Sequence, residues 1–292
     1  MSPAAHRVGV DVGGTSTKAV RVDAGGHVVA ERRAATTAPD PSGAAVVESI
    51  AALVASLDVP DDVPVGVVVP GVVDEDRGLA VLSVALGWRD LDLRARLEER
   101  LGRPVAFGHD VRAGAVAEVR SGAAQGADGV VAFMAVGTGL SAAVLVDGRP
   151  VVSGGWAGEI GQLVLADGPF AGSRVEEVAS ATGTARRAGE PDARAVAARV
   201  AAGDPAAVEV WRTTASVLAG ALAGLVVTVA PSTIVVGGGL ALAGDLLLEP
   251  IRAELARRVA GLRVPRLVVA HHGDGAGALG AAMLAGDAAL TS

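Results

Sequence analysis

The spacing of hydrophobic and polar positions along this chain changes several times, and the changes mark its elements. Val8, Val10 and Val12 alternate with smaller or polar residues, as in a half-buried strand, and run into Gly13-Gly14-Thr15. Residues 19–22 and 27–34 alternate in the same way around Ala24-Gly25-Gly26, which predicts a three-stranded meander. The period then lengthens. Val46, Val47, Ile50, Leu53 and Val54 share one helical face in a segment that Ser42 can cap and that ends near Leu57. Residues 64–69 read as a fully apolar strand. A loop through Gly87-Trp88, a helix over 91–100, a strand over 105–107 and a helix over 113–119 follow. Beyond a strand at 130–136 the pattern predicts short helices at 175–181 and 193–202. A long helix capped by Asp204, with Pro205 in its first turn, reaches about Val229. A strand at 233–236, a helix at 245–259, a strand at 266–270 and an Ala-rich helix from Ala276 complete the chain.

The second half opens as the first does. The run VVAFMAVGTGLSAAVLVDGRPVV echoes VGVDVGGTSTKAVRVDAGGHVV: strand, Gly-Thr turn, strand, Asp-Gly turn, strand. The interval from Thr to Asp is 8 residues in the first copy and 9 in the second. Repetition of this kind implies two related domains, each with its own glycine turn, and generic hairpins that happen to agree are the alternative. No linker separates the parts.

The first turn carries candidate chemistry. Glycines let backbone N–H groups approach a phosphate closely, Thr15 and Thr17 add hydroxyls, and Asp11 at the strand tip can hold a hydrated Mg²⁺. A short glycine turn also occurs with no ligand at all. Of the 25 basic residues only Lys18 is a lysine, and the chain contains no Asn or Tyr, as expected where a GC-rich genome suppresses AT-rich codons. A compact ammonium three residues after Thr15 suits a phosphate, and a solvated lysine on a strand edge is the other reading.

Composition narrows the classes. At 292 residues and 51% hydrophobic, the chain is long enough for two domains sharing a cleft. Aromatic residues make up 2% and the net charge is −7, which disfavours nucleic-acid and membrane partners. The absence of cysteine excludes disulfides, thiolate catalysis and cysteine zinc sites. The start MSPAAHR shows no leader pattern, so a cytoplasmic location is expected. The apolar stretch 217–231, interrupted by Gly220, Gly224 and Thr228, falls short of the roughly 18 to 20 residues of a membrane span and reads as the end of a buried helix.

Taken together, DVGGT at 11–15, Pro70-Gly71, LGW at 86–88, Asp110, GTG at 137–139, GEIG at 158–161 and GGG at 237–239 resemble the ROK family of bacterial sugar kinases and repressors, within the hexokinase and actin-like ATPase group. The resemblance covers nearly the whole chain. It implies an α/β fold of two RNase H-like domains flanking a cleft: residues 1–111, completed by the C-terminal helix 276–292, and residues 112–275. It further implies that Gly13, Gly14, Thr15, Gly137, Thr138 and Gly139 bind the phosphates of ATP, with Gly237, Gly238 and Gly239 beside the adenosine. Asp110 sits where the family keeps its general base, and the position before a helix also suits an N-cap. Gly71, His109, Asp110, Glu159, Gln162 and Glu176 fall in the sugar region. Glu159 and Glu176 match carboxylates that accept hydrogen bonds from sugar hydroxyls, although Glu176, next to Glu177, also reads as surface charge. A homo-oligomer, a dimer, is implied as well.

The departures lie in the sugar and zinc regions. The family's GEIGH histidine is Gln162 here, and the cysteine-rich zinc loop is ADGPFAGSR at 166–174, so no structural zinc is expected. The Glu-Asn-Asp triplet is Gly108-His109-Asp110, and the Asn before LGW is Ala85. A glucose with one hydroxyl modified, such as kanosamine, fits these changes, and so does glucose held by fewer side chains. A repressor would need an N-terminal helix-turn-helix, for which the sequence before Arg7 leaves no room. A catalytically silent sugar binder is the remaining alternative, which Asp11, Asp110 and both Gly-Thr turns argue against.

Overall fold

The computed structural model describes residues 6–291; the reading of residues 1–5 as leaderless falls outside them, as does Ser292. In chain order the strands and helices begin with β1 (Arg7–Val12), β2 (Ser16–Val22), β3 (Val28–Ala35), α1 (Ala44–Ala55), β4 (Val65–Val69), β5 (Val72–Asp74), β6 (Leu79–Ser83), β7 (Trp88–Asp92), α2 (Leu93–Leu101), β8 (Val105–His109) and α3 (Asp110–Ser121). They continue with β9 (Val130–Val136), β10 (Leu140–Val146), β11 (Arg149–Pro150), α4 (Val175–Ala179), α5 (Ala181–Ala188), α6 (Ala193–Ala201), α7 (Pro205–Val229), β12 (Thr233–Gly237), α8 (Asp245–Arg258), β13 (Arg266–Val269) and α9 (Ala276–Thr291).

The chain divides into two compact units. The first comprises residues 1–117, 152–156 and 275–292, and the second residues 118–151 and 157–274. The division thus falls inside α3, a few residues beyond the 111/112 position read from sequence. In the first unit a five-stranded sheet has the order β3-β2-β1-β4-β8, with β1 antiparallel to β2 and parallel to β4, and β4 parallel to β8. In the second the order is β11-β10-β9-β12-β13 with the same senses at the equivalent pairs. Both are RNase H-like sheets, so the repeat legible in the two Gly-Thr runs is a repeat of topology.

Local chemistry explains the boundaries. Each of β1 and β4 presents valine to buried surroundings, and Val8, Val10, Val65 and Val67 are at most 1% exposed. Asp204 accepts from the N–H groups of Ala206 (2.9 Å) and Ala207 (3.2 Å), and Pro205 opens α7 where no N–H is needed. Asp92 caps α2 through the Ala95 N–H, and Gly102 ends it in the left-handed conformation. At α1 the expected Ser42 cap is shared. Ser42 Oγ accepts from Ala44, but the buried Asp40 takes the Val46 N–H at 3.0 Å.

Two expectations are corrected. The segment around Gly87-Trp88 is not a loop: β5, β6 and β7 form a separate antiparallel sheet. Trp88 is 1% exposed and its Nε1 donates to the Asp40 carbonyl at 2.8 Å, so the LGW run belongs to the core of the first unit. The helix placed at 113–119 begins at Asp110. The apolar stretch 217–231 is, as expected, the end of a buried helix, α7, although the 25 residues of the whole helix are by length and composition enough to cross a bilayer. Its Trp211, Leu218 and Leu222 lie in the core of the second unit, and Trp211 Nε1 donates to Leu246 O at 3.0 Å.

α9 belongs to the first unit and lies against β1 and β4 at backbone contact. A Cβ on Gly9 would stand 2.0 Å from the Ala278 carbonyl oxygen, and one on Gly66 2.0 Å from that of Ala281. Glycine is the only residue these two strand positions accept, and the close approach carries the first turn of α9 to the end of β1.

Candidate active site

In the first unit β1 ends in a turn closed by the Gly13 N–H donating to Ser16 O at 2.9 Å. Thr15 is exposed, and Gly14 lies beside Ala85, whose Cβ would be 3.4 Å from a Cβ added there. Gly13, Gly14 and Thr15 therefore present an open turn, with the position of the family's missing Asn next to it. Asp11 is partly exposed, pairs in register with Lys18 across the β1–β2 ladder, and lies against Gly277 in the first turn of α9. Residues directly opposite in an antiparallel pair share a face, so the carboxylate and the ammonium stem rise from the same side of the sheet. Lys18 is 6% exposed, so the sequence picture of a solvated lysine does not hold. Thr17 is corrected more sharply. It is fully buried, and its Oγ1 pairs with Thr36 Oγ1 at 2.9 Å, so the hydroxyl ties β2 to the segment after β3 and does not face the turn.

At the far edge of the same sheet β8 leads directly into α3. His109 is 2% exposed, and its Nδ1 accepts the Arg112 backbone N–H at 3.3 Å. His109 thus fills the capping role considered for Asp110. Asp110 sits in the first turn, where a negative charge is favoured. Its side chain is 26% exposed, and its Oδ1 accepts the Val111 N–H at 2.7 Å. Because Nδ1 is an acceptor, the ring proton of His109 lies on Nε2, 3.4 Å from Asp110 Oδ1. Burial, reinforced by the nearby Arg112 charge, pushes the His109 pKa down to about 3. His109 is therefore neutral near pH 7 and is enclosed by protein, not turned to a sugar as expected from sequence.

Two residues that the sequence reading did not single out complete this corner. Arg112, 2% exposed, donates from Nε to Glu75 Oε1 at 2.8 Å and from its two terminal nitrogens to the carbonyls of Gly155 (3.5 Å) and Val73 (3.2 Å). Glu75 Oε1 also accepts the His109 backbone N–H at 3.2 Å. A lone arginine inside the apolar run of α3 was the available signal. Glu75, in an acidic turn, had none. Gly71, φ 105°, needs glycine because a Cβ would stand 2.2 Å from Leu82 O.

In the second unit the GTG turn closes with the Gly137 N–H donating to Gly139 O at 3.0 Å, and Gly137 O accepts the first N–H of α5 from Ala181. Thr138 and Gly139 are exposed. Gly158 and Gly161 hold their segment against β10: a Cβ on either would stand 1.8 Å from Ala142 O or 2.0 Å from Leu140 O. Glu159 lies between these two anchors, partly exposed. Gln162 Nε2 donates to Glu176 Oε1 at 2.8 Å, and Glu176 Oε2 lies 3.2 Å from a Cβ added at Gly139. Gln162 thus holds Glu176 over the GTG turn, and Glu176 is more than surface charge. At the GGG turn, Gly237 and Gly238 make room for Phe133 and for the β9 backbone, and Gly239 faces open space.

His109 gives a pH signature. The unfolded chain protonates it near pH 6.5 and the folded chain only near 3, so between these values the unfolded state binds more protons and stability falls as pH falls. The slope is about 1.4 kcal/mol per pH unit, so moving from pH 6.5 to 5 removes about 2 kcal/mol. In urea melts His109→Gln is expected to lose that slope, and equal slopes in parent and variant would show that the imidazole is not buried neutral.

A model of the ROK family matches residues 7–288. The chain is 35% identical over 289 residues to the bifunctional enzyme NanE/NanK of Brucella melitensis, covering 97% of this chain and 54% of that protein, so it spans about half the relative's length. It is 34% identical over 288 residues to the N-acetylmannosamine kinase of Citrobacter koseri, covering 94% of this chain and 97% of the relative. Among solved structures, a glucokinase of this family from Streptomyces griseus, in complex with glucose and AMPPNP, superposes with a TM-score of 0.85 at 29% identity, covering 97% of this chain and 99% of the other.

Proposed function

The chain belongs to the ROK family, and we propose that it is a sugar kinase moving the γ-phosphoryl group of ATP to the 6-hydroxyl of a glucose-like hexose, including an amino sugar such as kanosamine. The observation that carries the reading is Asp110: an accessible carboxylate at the first turn of α3, between two residues that are each 2% exposed. A carboxylate so placed takes the proton of the attacking hydroxyl as its oxygen bonds to the γ-phosphorus and the bond to the leaving ADP breaks. The open turns at Gly13–Thr15 and 137–139 offer backbone N–H groups to the nucleotide phosphates, and Gly239 lies open for the adenosine side. Glu159 and Glu176 accept hydrogen bonds from sugar hydroxyls, and Gln162 fixes the second of them.

A hydrated magnesium ion takes one or two carboxylates together with phosphate oxygens, and the donor set at the end of β1, one carboxylate beside a two-glycine turn, fits it. Asp11 would hold the ion through water, and the ion would offset the charge of the phosphates. The reading includes no structural zinc. Residues 166–174 carry no thiol, and the segment is closed instead by Leu165 N–H to Ser173 O and Gly172 N–H to Leu165 O, with the Arg187 guanidinium over the Phe170 ring at 5.3 Å.

The substrate follows from a panel. ADP release is to be measured over glucose, kanosamine and N-acetylmannosamine, the last because a relative is named for it. The expected result is turnover on a hexose or amino sugar, with glucose alone giving an ordinary glucokinase. ADP release with none of the sugars, together with retained sugar binding, would leave a non-catalytic regulator of the same family. Metal analysis of the same preparation is expected to find no stoichiometric zinc.

A further inference from the structure

We propose that Glu75 and Arg112 are positioning residues for the general base: one carboxylate grips the chain on both sides of Asp110 and fixes the backbone that carries it. The inference rests on the reading of Asp110 as the base, and every residue in it belongs to the first unit.

Asp110 stands where the edge strand β8 gives way to α3. An edge strand has a neighbour on one side only, and the first N–H groups of a helix have no partner within it, so this junction needs support from elsewhere. Glu75 supplies it from the turn after β5. Its Oε1 accepts the His109 backbone N–H at 3.2 Å, just before Asp110, and Arg112 Nε at 2.8 Å, just after it. Only Asp110 and Val111 lie between the two gripped residues.

Arg112 is held in turn. Its side chain is 2% exposed, and its terminal nitrogens donate to Val73 O at 3.2 Å and to Gly155 O at 3.5 Å. A guanidinium presents its donors in a rigid plane, so acceptors on three sides fix that plane. Val73 is fully buried and pairs with Ala80 across β5 and β6, so the anchorage is the small antiparallel sheet. A buried ion pair is seldom more stabilising than apolar side chains of the same volume. What this pair adds is direction, and direction is what a base needs: a misplacement of about 1 Å can cost about a hundredfold in rate.

The test measures kcat, sugar KM and the urea midpoint for Glu75→Ala, Glu75→Gln, Arg112→Lys, Asp110→Asn and the double variant Glu75→Ala/Asp110→Asn, with amide exchange on the parent. Glu75→Ala is expected to lower kcat about ten- to a hundredfold with sugar KM little changed. Arg112→Lys keeps the charge but loses the fork, and a similar fall in kcat is expected. Glu75→Gln keeps an oxygen for both N–H groups and loses the charge. It is expected to restore most of the rate lost in Glu75→Ala while its urea midpoint stays below the parent's, which separates placement from stability. In the Asp110→Asn background Glu75→Ala is expected to cost little further rate, because a positioning residue acts only through the group it positions. In the parent the His109 amide is expected to exchange as slowly as those of the buried strand β4. A Glu75→Ala protein with the parent's kcat, while Asp110→Asn is impaired, overturns the inference and leaves the kinase reading standing. So does a loss from Glu75→Ala that persists undiminished in the double variant. Fast exchange of the His109 amide overturns it as well, and the parent protein reports this even if the alanine variant does not fold. An Asp110→Asn enzyme at the parent's rate removes the base, and the inference with it.

Discussion

Asp110→Asn is expected to bind sugar about as the parent does and to turn over about 10² to 10⁴ times more slowly, the usual contribution of general-base catalysis. Asparagine keeps the shape of the side chain and an oxygen that can still accept the Val111 N–H, so the start of α3 is preserved. What it loses is the carboxylate that takes the proton of the attacking hydroxyl. The loss should therefore fall on kcat and leave sugar affinity, measured by titration calorimetry, within a few fold. Turnover within tenfold of the parent would take Asp110 out of the reaction.

Gly9→Ala is expected to cost at least about 3 kcal/mol, at the upper end of overpacking effects, because the added carbon meets backbone and no side chain can swing aside. The Ala278 oxygen would lie 2.0 Å from it and the Ala282 nitrogen 2.5 Å. Relief requires α9 to move off β1, and the same movement withdraws Gly277 from Asp11, so turnover should fall with stability. Gly224→Ala provides the opposite case. This glycine lies inside α7 with nothing within 4 Å of the added carbon. The same substitution is expected to stabilise by about 0.5–1 kcal/mol through helix propensity and a less flexible unfolded chain. A urea midpoint of Gly9→Ala at or above the parent's would show that α9 does not dock as described.

Much of the fold was legible because it follows from local periodicity. The valine alternation of β1, the uniform burial of β4 and the Asp204-Pro205 start of α7 are each written in a few adjacent residues. What escaped lacked a period: β5 has three residues, and β7 buries Trp88 and Leu91 with two exposed residues between them, so there is no alternation to detect. The helix α5 (ATGTARRA) carries Thr-Gly-Thr in its first half and is started by a cap, Ser180 accepting the Gly183 N–H.

The candidate site divides in the same way. The residue types that suit phosphate chemistry stand together in short runs, so the two Gly-Thr turns and Asp11 could be named as candidates from the residues, and the resemblance supplied Asp110, Glu159, Glu176 and the 237–239 turn. The uses of Thr17 and His109 could not be read that way, because each depends on a partner or a burial set by packing. Thr17 meets Thr36, 19 positions away, and the pair that frames Asp110 joins Arg112 to Glu75 across 37 positions. The sequence by itself determined which segments become strands and helices and which chemical groups each carries, since those depend on neighbours along the chain. Only the tertiary structure decided which groups are buried, paired or left accessible. A neutral histidine, a capped base and a helix resting on glycine arise from contacts between residues far apart in sequence.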